Sequence, residues 1–584
     1  MKALQYLNKY FLKYKYRLII GLIITVCSKF LALMVPKLIR ESVNVADDYK
    51  NGVITDLAFV KSELLYNILL IIGAALLSGF LTFLMRQTII VTSRLIEFDL
   101  KNEIYQQYQK LSLNFYKKNR TGDLMNRISE DVSKVRMYFG PAIMYSVNMI
   151  VLFIVAIIRM YHIDATLTIY TLAPLPVLSI SIYILSRTIN KRSTIVQQYL
   201  SKLTASAQET FAGISILKSY GIEDKAMDEF NELSNVAKEK NIHLYTAQAL
   251  FSPLMILLIG ISNIMVVYVG GLRYIQGEIT LGVIAEFIMY VNLLTWPVAV
   301  VGWVTSIIQQ AEASQKRINE FLEQKPEIVN YNPNPSKIEG EITFKDVTFT
   351  YDDTHITALK NINFNLKKGK TLAILGNTGS GKSTIISLIA RLYDVDSGEI
   401  LIDHTNVKNI NLDNLRQSIG FVPQEAFLFS DTIKNNIKFG DETASDEKII
   451  EAAKSAYIHH NIIDFSKGYD TYVGERGVTL SGGQKQRISI ARAIIKQPEI
   501  LIFDDCLSAV DTETEEIILN NLYKISKNKT TLIVSHRVSS VKNANTIIVL
   551  DKGEIIQQGT HNELVNKSGY YKELYEQQLL EKEI

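Results

Sequence analysis

Gly376-Asn-Thr-Gly-Ser-Gly-Lys-Ser-Thr384 separates two apolar runs, Thr371-Leu-Ala-Ile-Leu375 before it and Ile385-Ile-Ser-Leu-Ile389 after it. Strand, glycine-rich turn and helix start are the context a phosphate-binding loop requires. In such a loop Gly376, Asn377, Thr378, Gly379, Ser380 and Gly381 present backbone N–H groups to phosphate oxygens, and the helix start adds its positive dipole end. Lys382 is then expected to reach the β- and γ-phosphates, Ser383 to coordinate Mg²⁺, and Thr384 to complete the loop. The stretch therefore predicts a site for a nucleoside triphosphate and Mg²⁺. What the nucleotide drives must be read from the rest of the chain.

The 584 residues are too many for one core, so two or more domains are expected. Hydrophobic residues make up 48% of the chain although 21% are charged, and the two classes segregate. Apolar runs fall before about Val304 and charges thicken after it. A net charge of +3 is too small to argue for a nucleic-acid partner. Cys27 lies in an apolar run and Cys506 beside an acidic pair, with no metal-binding or disulfide spacing, so a reduced cytosolic setting is expected for the polar half. No cleavable signal peptide is read in the first residues.

Residues 1–17 place Leu4, Leu7, Phe11 and Leu12 among Lys2, Lys9, Lys13 and Lys15, the pattern of an amphipathic helix lying on a membrane surface. Residues 18–324 contain six apolar stretches, about 18–38, 64–85, 139–159, 167–185, 250–269 and 283–304. Each approaches the roughly 20 residues a spanning helix needs, and a soluble core cannot hide six helices apolar all round. The second-to-third and fourth-to-fifth connections are long, helical in pattern and rich in Lys and Arg. The first loop instead carries Asp47, Asp48 and Asp56. The positive-inside rule places both termini, both long loops and the ATPase domain in the cytoplasm. Lys29 lies midway along the first apolar run and Arg86 near the cytoplasmic end of the second. Both are candidates to face a central cavity and favour an anionic or amphipathic substrate, with snorkelling toward the inner leaflet as the alternative. Residues 325–340, with Pro326 and Asn330-Tyr-Asn-Pro-Asn-Pro-Ser336, read as a linker, and 341–584 as an α/β nucleotide-binding domain.

Two further patterns stand around the phosphate loop. Ile500-Leu-Ile-Phe-Asp504-Asp505 is a buried-strand pattern ending in paired carboxylates, with Asp504 assigned to the metal. Leu480-Ser-Gly-Gly-Gln-Lys-Gln-Arg487 opens a helix whose Ser481, Gly482, Gly483 and Gln484 offer an anion a second helix N-terminus. One domain does not need two phosphate cradles, so the second is expected to serve a partner's nucleotide.

These motifs resemble those of the ATP-binding cassette (ABC) transporters, whose signature is this LSGGQ, and the resemblance covers essentially the whole chain. It implies that Tyr351 stacks the adenine, that Gln424 links metal and attacking water to the membrane domain, and that His536 contacts the γ-phosphate. Val473-Gly-Glu-Arg-Gly477 resembles an element that contacts the intracellular loops, and Ser508-Ala-Val-Asp511 the loop that crosses the dimer interface. Phe115–Met125 and Glu209–Lys218 resemble the segments carrying the coupling helices, and Gly277–Gly282 the external turn before helix six. The implied fold is a membrane all-α six-helix exporter domain of the type 1 ABC transmembrane kind, followed by an α/β P-loop ATPase. The plan is similar to bacterial multidrug-resistance-like and lipid-flippase half-exporters.

One position departs from the family. A Glu is expected after the metal-binding Asp, to polarise the attacking water, and this chain has Asp505. Losing one methylene sets the carboxylate back by about 1.3 Å, a displacement that can cost roughly 10²-fold in rate. A weakened strand end beside an intact signature is the pattern of one half of a heterodimer. The intact His536 and Asp511 support the alternative, a homodimer. The resulting expectation is ATP-driven export or flipping of amphipathic drugs or lipids across a bacterial inner membrane, in contact with membrane lipids and without nucleic acid. The alternatives are a dedicated lipid or glycolipid flippase, and an ATP-gated channel or regulator that does not pump.

Overall fold

The computed structural model describes residues 2–583 apart from 475, 476, 478 and 507–511, and the side chains at 178, 299, 512, 513 and 581–583 are likewise not described. The expected interface loop Ser508–Asp511 and the residues Glu475 and Arg476 thus lie outside the described residues. The chain forms two compact units. One comprises Met1–Tyr108 with Gly122–Glu323, and the other Gln109–Thr121 with Gln324–Ile584.

The first unit is helical. Six helices are long and apolar enough to cross a membrane: Lys15–Lys50, Leu57–Lys110, Thr121–Ile163, Ala165–Ala212, Glu223–Ile275 and Leu281–Leu322. Each carries one of the six apolar stretches and continues well beyond it, so the long charged connections are extensions of the spans themselves. Turn chemistry explains the breaks. Asp164 leaves the helical region at φ −156°, and its carboxylate accepts from the Leu167 amide at 2.7 Å, capping the fourth span. The same carboxylate pairs with Arg273 at 2.8 Å. Pro141 removes a helical N–H, and the third span accommodates it in a wider π turn, Tyr138–Ala142.

Buried contacts bind the spans. Glu286, fully buried on the sixth, accepts from Tyr290 at 2.7 Å and pairs with Arg40 of the first at 2.9 Å. Asp131 accepts from Ser314 at 2.8 Å and from Arg317 Nε at 2.9 Å. Leu33, Leu152, Ala156, Met160, Leu167, Val266, Phe287 and Leu294 close the core between them. Most other apolar side chains of the spans face outward, among them Leu69, Leu76, Phe80 and Ile154. That surface is tolerable only against lipid or another chain.

Residues 3–13 form a short 3₁₀ turn, Ala3–Leu7, and a helix, Asn8–Lys13. Their apolar face is occupied by protein: Leu4, Leu7 and Tyr10 are buried. Glu103 of the second span accepts from Tyr6, Lys9 and Tyr10, and Asp99 from Lys13 at 2.6 Å and Tyr14 at 2.9 Å. The amphipathic pattern is thus used largely for packing on the chain's own spans: the turn Ala3–Leu7 lies against the sixth and Phe11 against Phe139 of the third, while the polar groups bond to the second; Leu12 and Tyr16 remain exposed.

The second unit contains two sheets. β1 (Ile342–Thr350), β2 (Thr357–Leu366), β4 (Ser397–Ile402) and β5 (Thr405–Asn406) form an antiparallel sheet in the order β2-β1-β4-β5. β3 (Thr371–Gly376), β6 (Ile419–Val422), β7 (Ile500–Asp504), β8 (Thr530–Val534), β9 (Thr546–Asp551) and β10 (Glu554–Gly559) form the other, in the order β10-β9-β3-β8-β7-β6. All its pairings are parallel except β9 with β10. Helices cover a parallel sheet on both faces, so its strands are continuous apolar runs. Every residue of β3, β7 and β8 is buried. The segment Gln109–Thr121, although it lies between two membrane spans in sequence, belongs to this unit and carries the helix Leu113–Lys118.

Candidate nucleotide site

Parallel register assembles the site. Ile374 of β3 and Asp504 of β7 both align with Val534 of β8, and Val422 of β6 aligns with Phe503. The carboxyl ends of four strands therefore reach one edge, where the phosphate loop follows β3, Gln424 follows β6, Asp505 follows β7 and His536 follows β8. This is where open α/β sheets hold their ligands.

A cavity of about 660 Å³ opens there. It is lined by Tyr351, the loop residues Thr378, Gly379 and Gly381 to Thr384, Gln424, Asp504, Asp505 and His536. Chain segments distant in sequence thus meet at one cavity, and the signature, expected to serve a partner's nucleotide, is not among them. Two loop glycines are required by sterics: a Cβ on Gly376 would stand 2.2 Å from the Leu550 carbonyl oxygen, and one on Gly381 2.5 Å from that of Ala358. Both have positive φ, 146° and 105°. Lys382 is buried and curls over the loop, donating to the Gly376 and Asn377 carbonyls at 2.8 Å each. Ser380 Oγ is buried with no hydrogen-bond partner, an orphan of the kind that a bound oxyanion satisfies. Ser383 Oγ donates to Asp504 Oδ1 at 3.2 Å, and Gln424 Nε2 approaches Asp505 Oδ2 at 3.5 Å.

The electrostatics suit a charged guest of both signs. Burial raises the Asp504 and Asp505 carboxyls above the ordinary carboxylate range and lowers the Lys382 ammonium below its own. A divalent cation relieves the carboxyls, and a polyphosphate relieves the lysine. Among the described residues no cluster of three or more His, Cys, Asp or Glu could hold a metal alone. That fits Mg²⁺, which takes one or two protein oxygens and completes its shell with phosphates and water. The hard donors Ser383 Oγ and Asp504 Oδ1 are placed for that role.

At the base end, the Tyr351 hydroxyl lies 3.0 Å from Thr384 Oγ1, and its ring stands edge-on to Phe349 and Tyr393. Lys117, from the helix Leu113–Lys118, also lines the cavity, with Nζ 4.3 Å from the Tyr351 ring centre. Sequence reading placed Lys117 in a basic loop and in the segment Phe115–Met125 that resembles a coupling helix, with no part in the nucleotide site, because nothing local ties it to a residue 234 positions later. The same helix is anchored by Asn114, which donates to Asp352 at 3.0 Å and Glu327 at 3.2 Å, and by Ser112, which donates to Glu327 at 2.7 Å.

The signature stands apart. Ser481 caps the helix Gly482–Ile495 in a capping box, with Gln484 N donating to Ser481 Oγ and Ser481 N to Gln484 Oε1. These bonds engage Ser481 and Gln484, and Ser481 and Gly482 are exposed while Gly483 is half-buried. None of the four residues lines the cavity.

Comparison with known proteins agrees with this construction. Residues 18–298 match the family described as ABC transporter transmembrane region, and residues 359–508 the family ABC transporter. The chain is 37% identical to the multidrug resistance-like ATP-binding protein MdlA of Escherichia coli over 90% of both chains. It is 35% identical to a probable multidrug resistance ABC transporter ATP-binding/permease protein, YheI, of Bacillus subtilis, over 99% of this chain and 98% of the relative. Among solved structures, a bacterial Atm1-family ABC exporter with ATP bound superposes with a TM-score of 0.79 at 26% identity, covering 97% of this chain and 98% of the other.

Proposed function

The chain belongs to the ABC transporters of the exporter type, and from that premise we propose a residue-by-residue account of how it couples ATP to export. It is a multi-pass membrane protein, and its ATPase domain hydrolyses ATP to drive transport. Half-transporters of this kind work as dimers. The observation that carries the site assignment is the convergence of loop, Asp504, Asp505, Gln424 and His536 on one cavity.

In the proposed site the loop amides and Lys382 hold the β- and γ-phosphates, and Tyr351 stacks on the adenine. Ser383, Asp504 and Gln424 would hold Mg²⁺, which would neutralise phosphate charge. Asp505 accepts a proton from the attacking water and Gln424 orients it. His536 meets the terminal phosphate. Catalysis of this kind rests on positioning and charge placement. Ser481, Gly482, Gly483 and Gln484 serve the nucleotide of the partner chain, consistent with their position outside this chain's own cavity.

Three finer assignments follow. The partner is a second, different half-transporter whose own strand end carries Asp-Glu, so that this chain's signature completes the faster site and its Asp505 the slower. The protein sits in a bacterial cytoplasmic membrane with both termini and the ATPase domain inside, as its loop charges favour. The transported compounds are amphipathic drugs or lipids. Lys382→Ala tests the core of the assignment. It should weaken Mg-ATP binding at this chain's site by about 10²-fold or more and lower coupled transport. Unaltered nucleotide binding would remove the loop from its role.

A further inference from the structure

The membrane unit contains a second cavity, of about 340 Å³, that the ATPase account does not use. Lys29 of the first span and Arg86 of the second both line it. The two spans are held in register beside them: Ser28 Oγ lies 3.0 Å from Thr82 Oγ1. Lys29 therefore stands one residue from that contact and Arg86 one helical turn from it. No Asp or Glu lines the cavity.

Three carboxylates between the spans are matched: Glu286 with Arg40, Asp164 with Arg273, and Asp131 with Arg317. Among the described residues, Lys29 and Arg86 find no ion-pair partner and no side-chain hydrogen bond. Lys29 does lie in the last turn of the helix Lys15–Ala32, where the carbonyl end of the dipole favours a cation. That partial charge does not replace a counter-ion, and Arg86, mid-helix in Leu57–Lys110, lacks even that. A third group is unfulfilled: Asn148 Oδ1 is buried without a partner, while its Nδ2 donates to the Met144 carbonyl at 2.9 Å. The remaining wall is mostly apolar and adaptable, with Met85, Met144, Met149 and Trp296, interrupted by Thr82, Tyr145 and Asn292.

We propose that this cavity binds the acidic group of an anionic amphiphile, with Lys29 and Arg86 as counter-charges and the methionine and tryptophan wall on its apolar body. The proposal rests on the exporter reading and names the substrate class within it. An acidic group placed between the two cations gives both the partner they lack, and a hydroxyl or amide N–H beside it meets Asn148 Oδ1. A cationic amphiphile would bring like charge to a cavity with no carboxylate to offset it. The acidic group is a carboxylate, sulfonate or phosphate, carried by a lipid headgroup or by a free amphiphile.

The chain has only two tryptophans, Trp296 and Trp303. With Trp303→Phe in this chain and the tryptophans of the partner chain replaced by Phe, Trp296 is the single reporter of the cavity. The full-length dimer in neutral-lipid nanodiscs, without nucleotide, is titrated with single-chain amphiphiles of one tail length bearing a carboxylate, a trimethylammonium or an uncharged sugar. The carboxylate should quench Trp296 fluorescence at a concentration at least about tenfold lower than the ammonium. Arg86→Lys should retain that preference, and the Lys29→Gln, Arg86→Gln double variant should abolish it. If the double variant does not fold, the wild-type charge series and Lys29→Gln alone, expected to lose part of the preference, decide. Equal or tighter binding of the ammonium, no quenching by any member, or a preference surviving in the folded double variant would overturn the proposal. Competition by an anionic phospholipid added to the nanodiscs identifies a headgroup as the source, and its absence a free amphiphile. ATP hydrolysis on the same preparation separates the two readings: its absence sinks the exporter account, whereas equal binding beside normal hydrolysis sinks only the anion.

Discussion

Asp505 is the residue on which the chain's behaviour turns. Its carboxylate lies at the 3.5 Å limit of contact with Gln424, and its backbone is left-handed, φ 42°, a conformation that Asp tolerates better than most residues. Asp505→Glu returns the missing methylene and should raise ATP turnover at this chain's site by about tenfold or more. Single-site turnover with the partner's site disabled measures it, and unchanged turnover in an assembly that already hydrolyses briskly would count against a slow site. Acidity should act in the same place. The Asp504 and Asp505 carboxyls titrate above the ordinary range because they are buried. Their charged forms are therefore lost at a higher pH on acidification than for exposed carboxylates. Mg-ATP affinity should weaken correspondingly early as pH falls, and Asp505→Asn should remove part of that dependence. Equal pH profiles for the two proteins would show that Asp505 does not contribute. Much of this was legible in the chain, because Gly376, Gly381, Lys382 and Asp504 sit in a local pattern that dictates their chemistry. Lys117 was not, since its place over Tyr351 depends on a segment between membrane spans joining the ATPase unit.

At the scale of elements, periodicity and apolar length located the six spans, because a lipid-facing helix must be apolar along about 20 residues whatever its neighbours. Amphipathicity did not reveal what an apolar face meets. Residues 1–17 carry the pattern of a surface helix, yet Leu4, Leu7 and Tyr10 are covered by protein. Glu103 draws Tyr6, Lys9 and Tyr10 together at that joint. Its carboxylate is partly exposed, so Glu103→Ala should cost about 1 kcal/mol. Thermal unfolding of the purified protein should show a small drop in midpoint. A loss of several kcal/mol would mean that the joint organises more of the helical unit than these bonds account for.

For the whole molecule, the outward apolar faces of the spans call for lipid and a second chain, and the signature residues Ser481 to Gln484 lie outside this chain's own cavity, as the proposed role at a partner's nucleotide requires. The order of parts, six spans followed by an ATPase, was readable because each part has its own residue chemistry. The chemistry of the cargo was legible only as far as naming Lys29 and Arg86 as candidates for a central cavity, because they are far apart in sequence and it is the fold that lines one cavity with both. The most direct test is uphill transport in inside-out vesicles containing the co-expressed dimer. With ATP and Mg²⁺, a fluorescent anionic amphiphile should accumulate in the lumen above its external concentration, and Lys382→Ala should lower that accumulation. Hydrolysis that produces only equilibration, with ATP-dependent conductance and no concentration gradient, would contradict the account and indicate a gated channel.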